Sequence, residues 1–220
     1  MIDWGWLADH GPALLYRTGQ HLYLASIAVV AGLAISLVLG IVATRRRPLI
    51  LPVSIVTDVV YTIPSAALFA ALVASLGLSV FSAEIPLILY TLVILFRNVV
   101  AGLDAVPPDV RDAADAMSYA GLARLLRVDL PLAVPLIVAG VRVATVSTIG
   151  LVTISALLGD ALGGLGFFIF EGARRNFPTE IYAGAIPTIV LALLADRIFV
   201  RVQAALTPWE RRATREVVTA

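Results

Sequence analysis

The chain has 220 residues, of which 60% are hydrophobic and only 14% are charged, and its mean hydropathy is +0.97. Soluble domains carry about 25% charged residues, so this composition excludes a soluble globular protein and indicates an integral membrane protein. All 16 basic residues are arginine, cysteine is absent and the histidines are His10 and His21, which excludes a Walker A lysine, a thiol nucleophile and a clustered metal site.

The apolar stretches predict an all-α membrane protein with about five spanning helices, because one helix needs about 20 apolar residues to cross the hydrocarbon core. Residues 1–20 are mixed in character and are predicted to form an external segment at the membrane surface. The transmembrane domain is predicted to cover residues 21–205, and a cytoplasmic tail residues 206–220. The predicted spans cover residues 21–44, 49–76, 81–103, 131–158 and 183–200.

The second of these stretches contains Pro52, Asp58 and Pro64. Proline removes a backbone donor and restricts the residue before it, so it interrupts a helix. Lipid tolerates an interruption only where neighbouring helices or a wet cavity satisfy the freed backbone groups. We therefore predict a kinked or broken helix, followed by a tight turn at Gly77-Leu78-Ser79.

The distribution of arginine predicts the orientation, since cytoplasmic loops are rich in positive charge. One side of the predicted bundle carries only Arg17, Arg174 and Arg175. The other side carries Arg45, Arg46, Arg47, Arg111, Arg124, Arg127, Arg211, Arg212 and Arg215. The N-terminus is therefore predicted outside and the C-terminus in the cytoplasm.

A polar segment from about residue 104 to residue 130 separates the third span from the fourth. Asp109, with Asp112 three residues later, has the spacing of a helix N-cap and capping box. Residues at helical spacing predict a face that another protein's backbone can approach closely: Ala113, Ala116, Met117, Ala120 and Arg124. Around this face, charged residues are predicted to set the orientation of a partner: Arg111, Asp115 and Arg124. The spacing alone fits a solvated connector equally well.

This segment resembles the cytoplasmic signature of ABC-importer permeases, which is a Glu-Ala-Ala triplet, a glycine and a Leu-Pro pair. Asp112-Ala113-Ala114, Ser118 and Leu130-Pro131 stand at those places here, so aspartate replaces the glutamate and serine replaces the glycine. The resemblance implies coupling helices that seat in a groove of a separate ATP-binding subunit, with the bend between them at Ser118 or Gly121. The implied coupling residues are Asp112, Ala113, Ala114, Met117, Ser118, Gly121, Arg124, Leu130 and Pro131.

The resemblance covers most of the chain from about Tyr61 to Asp196, through Thr62-Ile63-Pro64-Ser65, Gly163-Gly164-Leu165-Gly166 and Gly184-Ala185-Ile186. These pieces are similar to permeases that import glycine betaine, choline, carnitine and related osmoprotectants. The resemblance implies the type I ABC importer permease (MetI-like) architecture in the bacterial cell membrane. The implied partners are ABC ATPase subunits, an extracytoplasmic substrate-binding protein, a second permease copy or paralogue, and the lipid bilayer.

The same resemblance implies a permease subunit that is not itself an enzyme and holds no cofactor, because ATP would be bound by the ATPase subunit. No nucleic acid is expected as a partner. Selectivity is expected to reside mainly in the separate binding protein.

Asp58 and Arg142 lie inside apolar stretches, where a charge facing lipid would cost about 2.5–3.5 kcal/mol. Each is predicted to face protein or water, either in a pair that fixes helix packing or at the border of a translocation cavity. Hydroxyl groups share one stripe of the fourth span, where they either wet a pathway or bond back to their own helix. The candidate path residues are Asp58, Tyr61, Pro64, Ser65, Arg142, Thr145, Thr148 and Ser155.

Quaternary ammonium ions favour aromatic cages. Tyr61, Phe69, Tyr90 and Phe96 could contribute to a transient cage, but aromatic residues in spanning helices are usually packing or interface residues. No substrate site is therefore assigned to them.

The segment from residue 159 to residue 182 is glycine-rich and is predicted to lie outside. Gly163-Gly164-Leu165-Gly166 lacks the spacing of a dinucleotide fingerprint and does not follow a strand, which argues against a phosphate cradle. We predict a flexible re-entrant or surface turn, anchored at the interface by Phe167, Phe168 and Phe170. The resemblance places it on the face that a binding protein approaches, with candidate contacts Arg174, Arg175 and Glu180.

Other function classes are less compatible with the sequence. A secondary transporter, with Asp58 as ion carrier, would need inverted repeats and a second broken helix, and no other segment matches residues 49–76. An intramembrane enzyme is disfavoured because the chain lacks cysteine, a Gly-x-Ser-x-Gly element and any histidine beyond residue 21. A permease for another small solute, such as an amino-acid derivative, stays open.

Overall fold

A computed structural model describes residues 2–119, 121–159 and 162–207 of the protein, and within them the chain contains no strand. The α-helices are α1 (Trp4–Asp9), α2 (Gly11–Arg45), α3 (Ile50–Thr62), α4 (Ser65–Leu76), α5 (Val80–Asp104), α6 (Pro108–Ala116), α7 (Leu122–Arg124), α8 (Leu130–Ser155), α9 (Gly166–Arg174) and α10 (Pro178–Leu206). Short 3-10 helices lie at Arg47–Leu49 and Ala156–Leu158, and a π-helical turn at Leu125–Asp129 joins α7 to α8.

Four helical stretches are long and apolar enough to cross a bilayer: α2, α5, the run from Leu122 to Ser155, and α10. The bent pair α3 and α4 forms a fifth when it is counted as one span. The prediction of an all-α protein with about five spans is confirmed. α2 begins at Gly11 and α10 at Pro178, ahead of the predicted starts, because hydropathy marks only the apolar part of a helix.

The second span is broken at Ile63-Pro64, where α3 and α4 meet at an angle of 91°. Ile63 has extended backbone angles (φ −67°, ψ 128°), the conformation that a following proline imposes. Its carbonyl accepts a hydrogen bond from the Tyr90 hydroxyl of α5. The predicted broken helix is confirmed, whereas Pro52 leaves α3 intact because it lies in the first turn. Gly77 then ends α4 with a φ of 70°.

α2 and α5 run side by side in the same direction and approach closely through glycines. A Cβ at Gly32 would lie 1.9 Å from Thr91 Oγ1, and one at Gly40 would lie 2.5 Å from Val99 Cγ1. Small residues let membrane helices pack backbone against backbone in this way. α8 and α10 complete the bundle, in which one core cluster contains Leu24, Ala25, Ala28, Phe69, Leu87, Ile149 and Val152.

The glycine-rich segment is a packed element, so the prediction of a flexible turn is wrong. α9 lies against α8 and α10, and a Cβ on Gly166 would lie 2.2 Å from the Thr153 carbonyl oxygen. Phe168 is only 2% exposed and meets the Trp6 ring edge-on at a centroid distance of 6.0 Å. The glycines therefore serve close backbone contact rather than flexibility. Residues 160 and 161 of this segment lie outside the described residues.

Candidate functional site

The polar segment between α5 and α8 forms two short helices, α6 and α7, at one end of the bundle. α6 begins at Pro108 with Pro107 at the N-cap position and with no side-chain cap. The predicted N-cap at Asp109 is wrong, because proline is favoured at the first helical position and starts the helix earlier. Asp109 lies in the first turn, where its charge complements the helix dipole.

The arginine triplet at the end of α2 (Arg45, Arg46 and Arg47) lies at the same end of the bundle as this loop. Arg45 Nη2 donates to the Gly121 carbonyl at 3.4 Å, and Arg47 Nη1 pairs with Asp104 at 2.8 Å. Because positive charge marks the cytoplasmic side, this clustering agrees with a cytoplasmic loop. The orientation itself, and with it the external N-terminus, stays a prediction.

α6 ends in a Schellman motif at Ser118. The Tyr119 N–H donates to the Ala114 carbonyl at 2.9 Å, and the Ser118 N–H donates to the Asp115 carbonyl at 3.0 Å. Ser118 has a φ of 66°, a left-handed conformation that glycine adopts without strain. Gly121, with a φ of 57°, precedes α7. Both candidate positions therefore turn the chain, Ser118 by ending α6 and Gly121 by starting α7.

The outer surface of the loop carries five of the implied coupling residues: Asp112, Ala113, Met117, Ser118 and Gly121. Met117 is 65% exposed, and Leu122 and Leu126 that follow it are 63% and 55% exposed. Exposed large apolar side chains are typical of a protein-binding surface, and the docking of a partner on this loop stays a prediction.

Of the remaining implied coupling residues, Ala114 is buried, Arg124 and Leu130 are half-buried, and Pro131 is exposed. Ala114 is fully buried, and Pro131 lies in the first turn of α8. The missing N–H of Pro131 accounts for the π-helical turn before it, in which the Leu130 N–H donates to the Leu125 carbonyl. Ala120 lies outside the described residues. Leu130 packs against a core cluster of Val99, Leu103, Leu125, Ala133 and Ile137.

A buried carboxylate, Asp129, pairs with two of the three arginines of the loop. Arg111 Nε lies 3.3 Å from Asp129 Oδ1, and Arg124 Nε lies 3.6 Å from Asp129 Oδ2. Arg124 also donates to Asp115, and Arg111 donates to the Leu103 carbonyl of α5. The two arginines were expected to surround the docking face. Their guanidinium groups instead turn inward, because a buried carboxylate needs compensating charge, and they fasten the loop to the bundle.

A cleft of about 340 Å³ opens between the break in the second span, α5 and α8. It is lined by Tyr61, Thr62, Ile63, Pro64, Ser65, Tyr90, Ile94, Ser147, Thr148 and Leu151. A second cleft of about 370 Å³ adjoins it and is lined by Asp58, Tyr61, Thr62, Val93, Ile94 and Arg97. The structure therefore brings together five of the candidate path residues: Asp58, Tyr61, Pro64, Ser65 and Thr148. Their role in a path stays a prediction.

The two intramembrane charges singled out above have charged partners. Both oxygens of Asp58 lie 2.7 Å from Arg97 Nη2, and this pair lines the second cleft. Arg142 Nε lies 2.5 Å from Asp196 Oδ1 and joins α8 to α10. Neither member of that second pair lines either cleft, so it has the geometry of a packing contact.

The hydroxyl stripe of α8 bonds to its own helix. The Thr145 and Thr148 hydroxyls each donate at 2.7 Å to the carbonyl four residues earlier. The Ser155 hydroxyl is fully buried and lies within hydrogen-bond distance of two carbonyls, those of Val152 at 2.7 Å and Leu162 at 2.8 Å, either of which can accept its proton. Of these three residues only Thr148 lines a cleft, which matches the alternative in which the hydroxyls bond back to backbone.

Sequence comparison identifies the family. The sequence model of the family described as "Binding-protein-dependent transport system inner membrane component" matches residues 25–212 of this chain. The chain belongs to this family. It is 33% identical over 211 residues to the glycine betaine/carnitine/choline transport system permease protein OpuCB of Bacillus subtilis, with 96% of each chain covered. It is 31% identical to the choline transport system permease protein OpuBB of the same organism, with 92% of each chain covered.

A third relative of this permease is the osmoprotectant import permease protein OsmW of Salmonella typhimurium, at 33% identity over 92% of this chain and 96% of that one. Among solved structures, an inward-facing MetNI methionine ABC transporter matches 88% of this chain and 96% of that one, with a TM-score of 0.79 at 20% identity. This likeness confirms the predicted type I ABC importer permease fold. The protein is accordingly a multi-pass inner-membrane component.

The two clefts of the permease are also lined by residues that are not among the predicted path residues. Tyr90, which was considered only for an aromatic cage, lines the first cleft, Arg97 lines the second, and Ile94 lines both. Their i, i+4, i+7 spacing on one face of α5 is a signal that could have grouped them. Ser147 and Leu151 of α8 also line the first cleft, beside Thr148. The other two aromatic candidates, Phe69 and Phe96, are 0% and 1% exposed and belong to the core.

At the opposite end of the permease, only two of the three residues predicted to contact a binding protein are exposed. Arg174 and Arg175 are exposed and both pair with Glu171. Glu180 is only 3% exposed, so its carboxylate is not available on that surface. Within the described residues, no group of three potential metal ligands could hold an ion.

Proposed function

We propose that this permease imports a small osmoprotectant such as glycine betaine, choline or carnitine, delivered by an extracytoplasmic binding protein and driven by a separate ABC ATPase. The observation that carries the proposal is the loop of α6 and α7. Asp129 fastens it to the bundle from inside, while Asp112 and Met117 lie exposed on its outer surface. A surface held on one side and exposed on the other can transmit motion from a docked partner to the spanning helices.

The ATPase must be a separate subunit, because the chain has no lysine with which to build a P-loop. In this scheme two ATPase subunits close on ATP, the docked loops follow, and the membrane cavity switches between inward-facing and outward-facing states. The permease itself carries no cofactor and hydrolyses nothing. The N-terminus lies outside and the loop in the cytoplasm, where ATP is present.

The substrate would pass along the two adjoining clefts, from Ser65 and Thr148 toward Asp58. α3 exposes a row of large apolar side chains, which suits lipid or a second permease copy or paralogue: Leu51, Ile55, Val56 and Val59. The osmoprotectant class of substrate is supported by the names of the three relatives, which are permeases for glycine betaine, carnitine, choline or osmoprotectants and match this chain over most of their length.

An ion-coupled secondary transporter with Asp58 as carrier is not favoured, because Asp58 is already paired with Arg97 at 2.7 Å. A permease for another small solute, such as an amino-acid derivative, uses the same docking loop. An osmoprotectant permease is distinguished from a permease for another solute by measuring the uptake of labelled glycine betaine, carnitine and choline, in cells that lack their own uptake systems for these compounds. If a complex with bound ATPase moves none of the three solutes, the osmoprotectant assignment fails.

The docking loop is tested by co-purification of the tagged permease with its ATPase subunit. Met117→Asp places a charge on the loop, and Leu78→Asp places the same charge in the turn after α4, where exposure is nearly equal (65% and 66%). We expect Met117→Asp to lose the ATPase and Leu78→Asp to retain it. Recovery of wild type without an ATPase, or equal recovery with both variants, contradicts the coupling role.

A further inference from the structure

The two adjoining clefts contain an aromatic pair beside an ion pair. Neither pair takes part in the proposed coupling of the ATPase to the loop of α6 and α7. Tyr61 and Tyr90 meet edge-on, with ring centroids 5.7 Å apart. Asp58, which holds Arg97, lies one turn from Tyr61 on α3, about 4.5 Å along the axis. We propose that this junction binds zwitterionic quaternary ammonium compounds, with the ammonium against the tyrosines and the carboxylate on Arg97. The inference rests on the proposed function and narrows its substrate class.

The tyrosines provide a surface for the quaternary ammonium group, because such a cation is attracted to the face of an aromatic ring. Tyr61 is 51% exposed, so its ring is accessible from the clefts that it lines. Tyr90 is 5% exposed and is held in place by the hydrogen bond from its hydroxyl to the Ile63 carbonyl. The rings lie at 65° to each other and form a corner that does not need to be ordered by the ligand.

Arg97 provides the group that recognises a carboxylate. Its Nη2 nitrogen contacts both oxygens of Asp58, and its side chain is 60% exposed in the second cleft. A guanidinium group carries further donors on Nε and Nη1, in a planar fork that matches a carboxylate. Arg97 can therefore remain paired with Asp58 and at the same time donate hydrogen bonds to the carboxylate of a ligand.

The charge balance of the clefts favours a zwitterion over a simple cation. Asp58 and Arg97 are the only charged residues among the described residues that line the two clefts, and their charges cancel. A choline-like cation would be attracted to the faces of the tyrosine rings. It would have no unpaired carboxylate to interact with, however, and it would be repelled by the positive charge of Arg97. A betaine or carnitine molecule satisfies both ends of the site.

The test measures equilibrium binding of labelled glycine betaine and of labelled choline to the purified permease–ATPase complex without its binding protein. Wild type should bind glycine betaine about tenfold more tightly than choline, since a charge-assisted hydrogen bond is worth roughly that factor. Arg97→Gln should remove or reverse this preference, because glycine betaine loses the partner of its carboxylate while choline gains the unpaired carboxylate of Asp58. Asp58→Asn should keep glycine betaine and weaken choline. Tyr61→Leu should weaken both solutes, and Tyr61→Phe, which keeps an aromatic face, should weaken them less than Tyr61→Leu does.

Arg47→Gln is the matched control, because Arg47 makes a similar pair with Asp104 at 2.8 Å, is 58% exposed and lines neither cleft. It should bind both solutes as wild type does. Equal affinity of wild type for the two solutes, no saturable binding up to about 10 mM, or an equal loss of both in Arg97→Gln would overturn this site. If the complete transporter still takes up glycine betaine under those outcomes, only the site fails; if it takes up none of the osmoprotectants, the proposed function fails.

Discussion

The substitution Asp129→Asn tests whether the buried carboxylate joins the loop of α6 and α7 to the spanning helices. Asp129 lies 3.3 Å from Arg111 Nε and 3.6 Å from Arg124 Nε, and asparagine keeps its shape while removing its charge. Breaking a buried ion pair costs about 3–5 kcal/mol. Because the two arginine side chains are 29% and 32% exposed, water screens part of this cost, and we expect a loss of about 2 kcal/mol.

Asp104→Asn is the control, because its carboxylate pairs with Arg47 at the surface, where a pair is worth under about 1 kcal/mol. In thermal unfolding of the purified permease, 1 kcal/mol corresponds to about 2–4 °C for a chain of this size. We expect Asp129→Asn to lower the midpoint by about 4–8 °C, and the control by less than about half of that. In the reconstituted transporter, Asp129→Asn should also lower the amount of solute moved per ATP hydrolysed. Equal midpoint shifts in the two variants would refute the reasoning.

Three further substitutions have defined outcomes. Ser118→Gly should raise the thermal midpoint by the equivalent of about 1 kcal/mol, because serine at a φ of 66° is strained; a lower midpoint would contradict this. Gly166→Ala should abolish accumulation of folded protein, since its Cβ would lie 2.2 Å from a backbone carbonyl oxygen of α8, whereas Gly19→Ala, with open space around it, should accumulate normally. Tyr90→Phe leaves the Ile63 carbonyl without its donor and should destabilise the break by about 1–3 kcal/mol. Faster amide hydrogen exchange between residues 59 and 67 in Tyr90→Phe would show this destabilisation, and unchanged exchange would contradict the prediction.

Much of the site depended on partners that are distant in sequence. Asp58 was recognised as a charge that must avoid lipid, but its pairing with Arg97 joins residues 39 positions apart. Arg142 finds Asp196 across 54 positions. The stripe of hydroxyls on α8 could not show which of them line a cleft, because a spacing rule defines a helix face but not the neighbour of that face. The inward turn of Arg111 and Arg124 likewise depends on where Asp129 is buried.

The sequence by itself determined the membrane class, the number of spans, the break at Pro64 and the position of the polar loop between α5 and α8. These follow from local properties: hydropathy over a helix length, the missing N–H of proline, and charge in an apolar chain. Only the tertiary structure decided that the glycine-rich segment is packed, that both Ser118 and Gly121 turn the loop, and that a tyrosine pair lies beside an ion pair. These features arise where separate helices meet, and the distance between two helices is a property of the folded bundle rather than of either stretch of sequence.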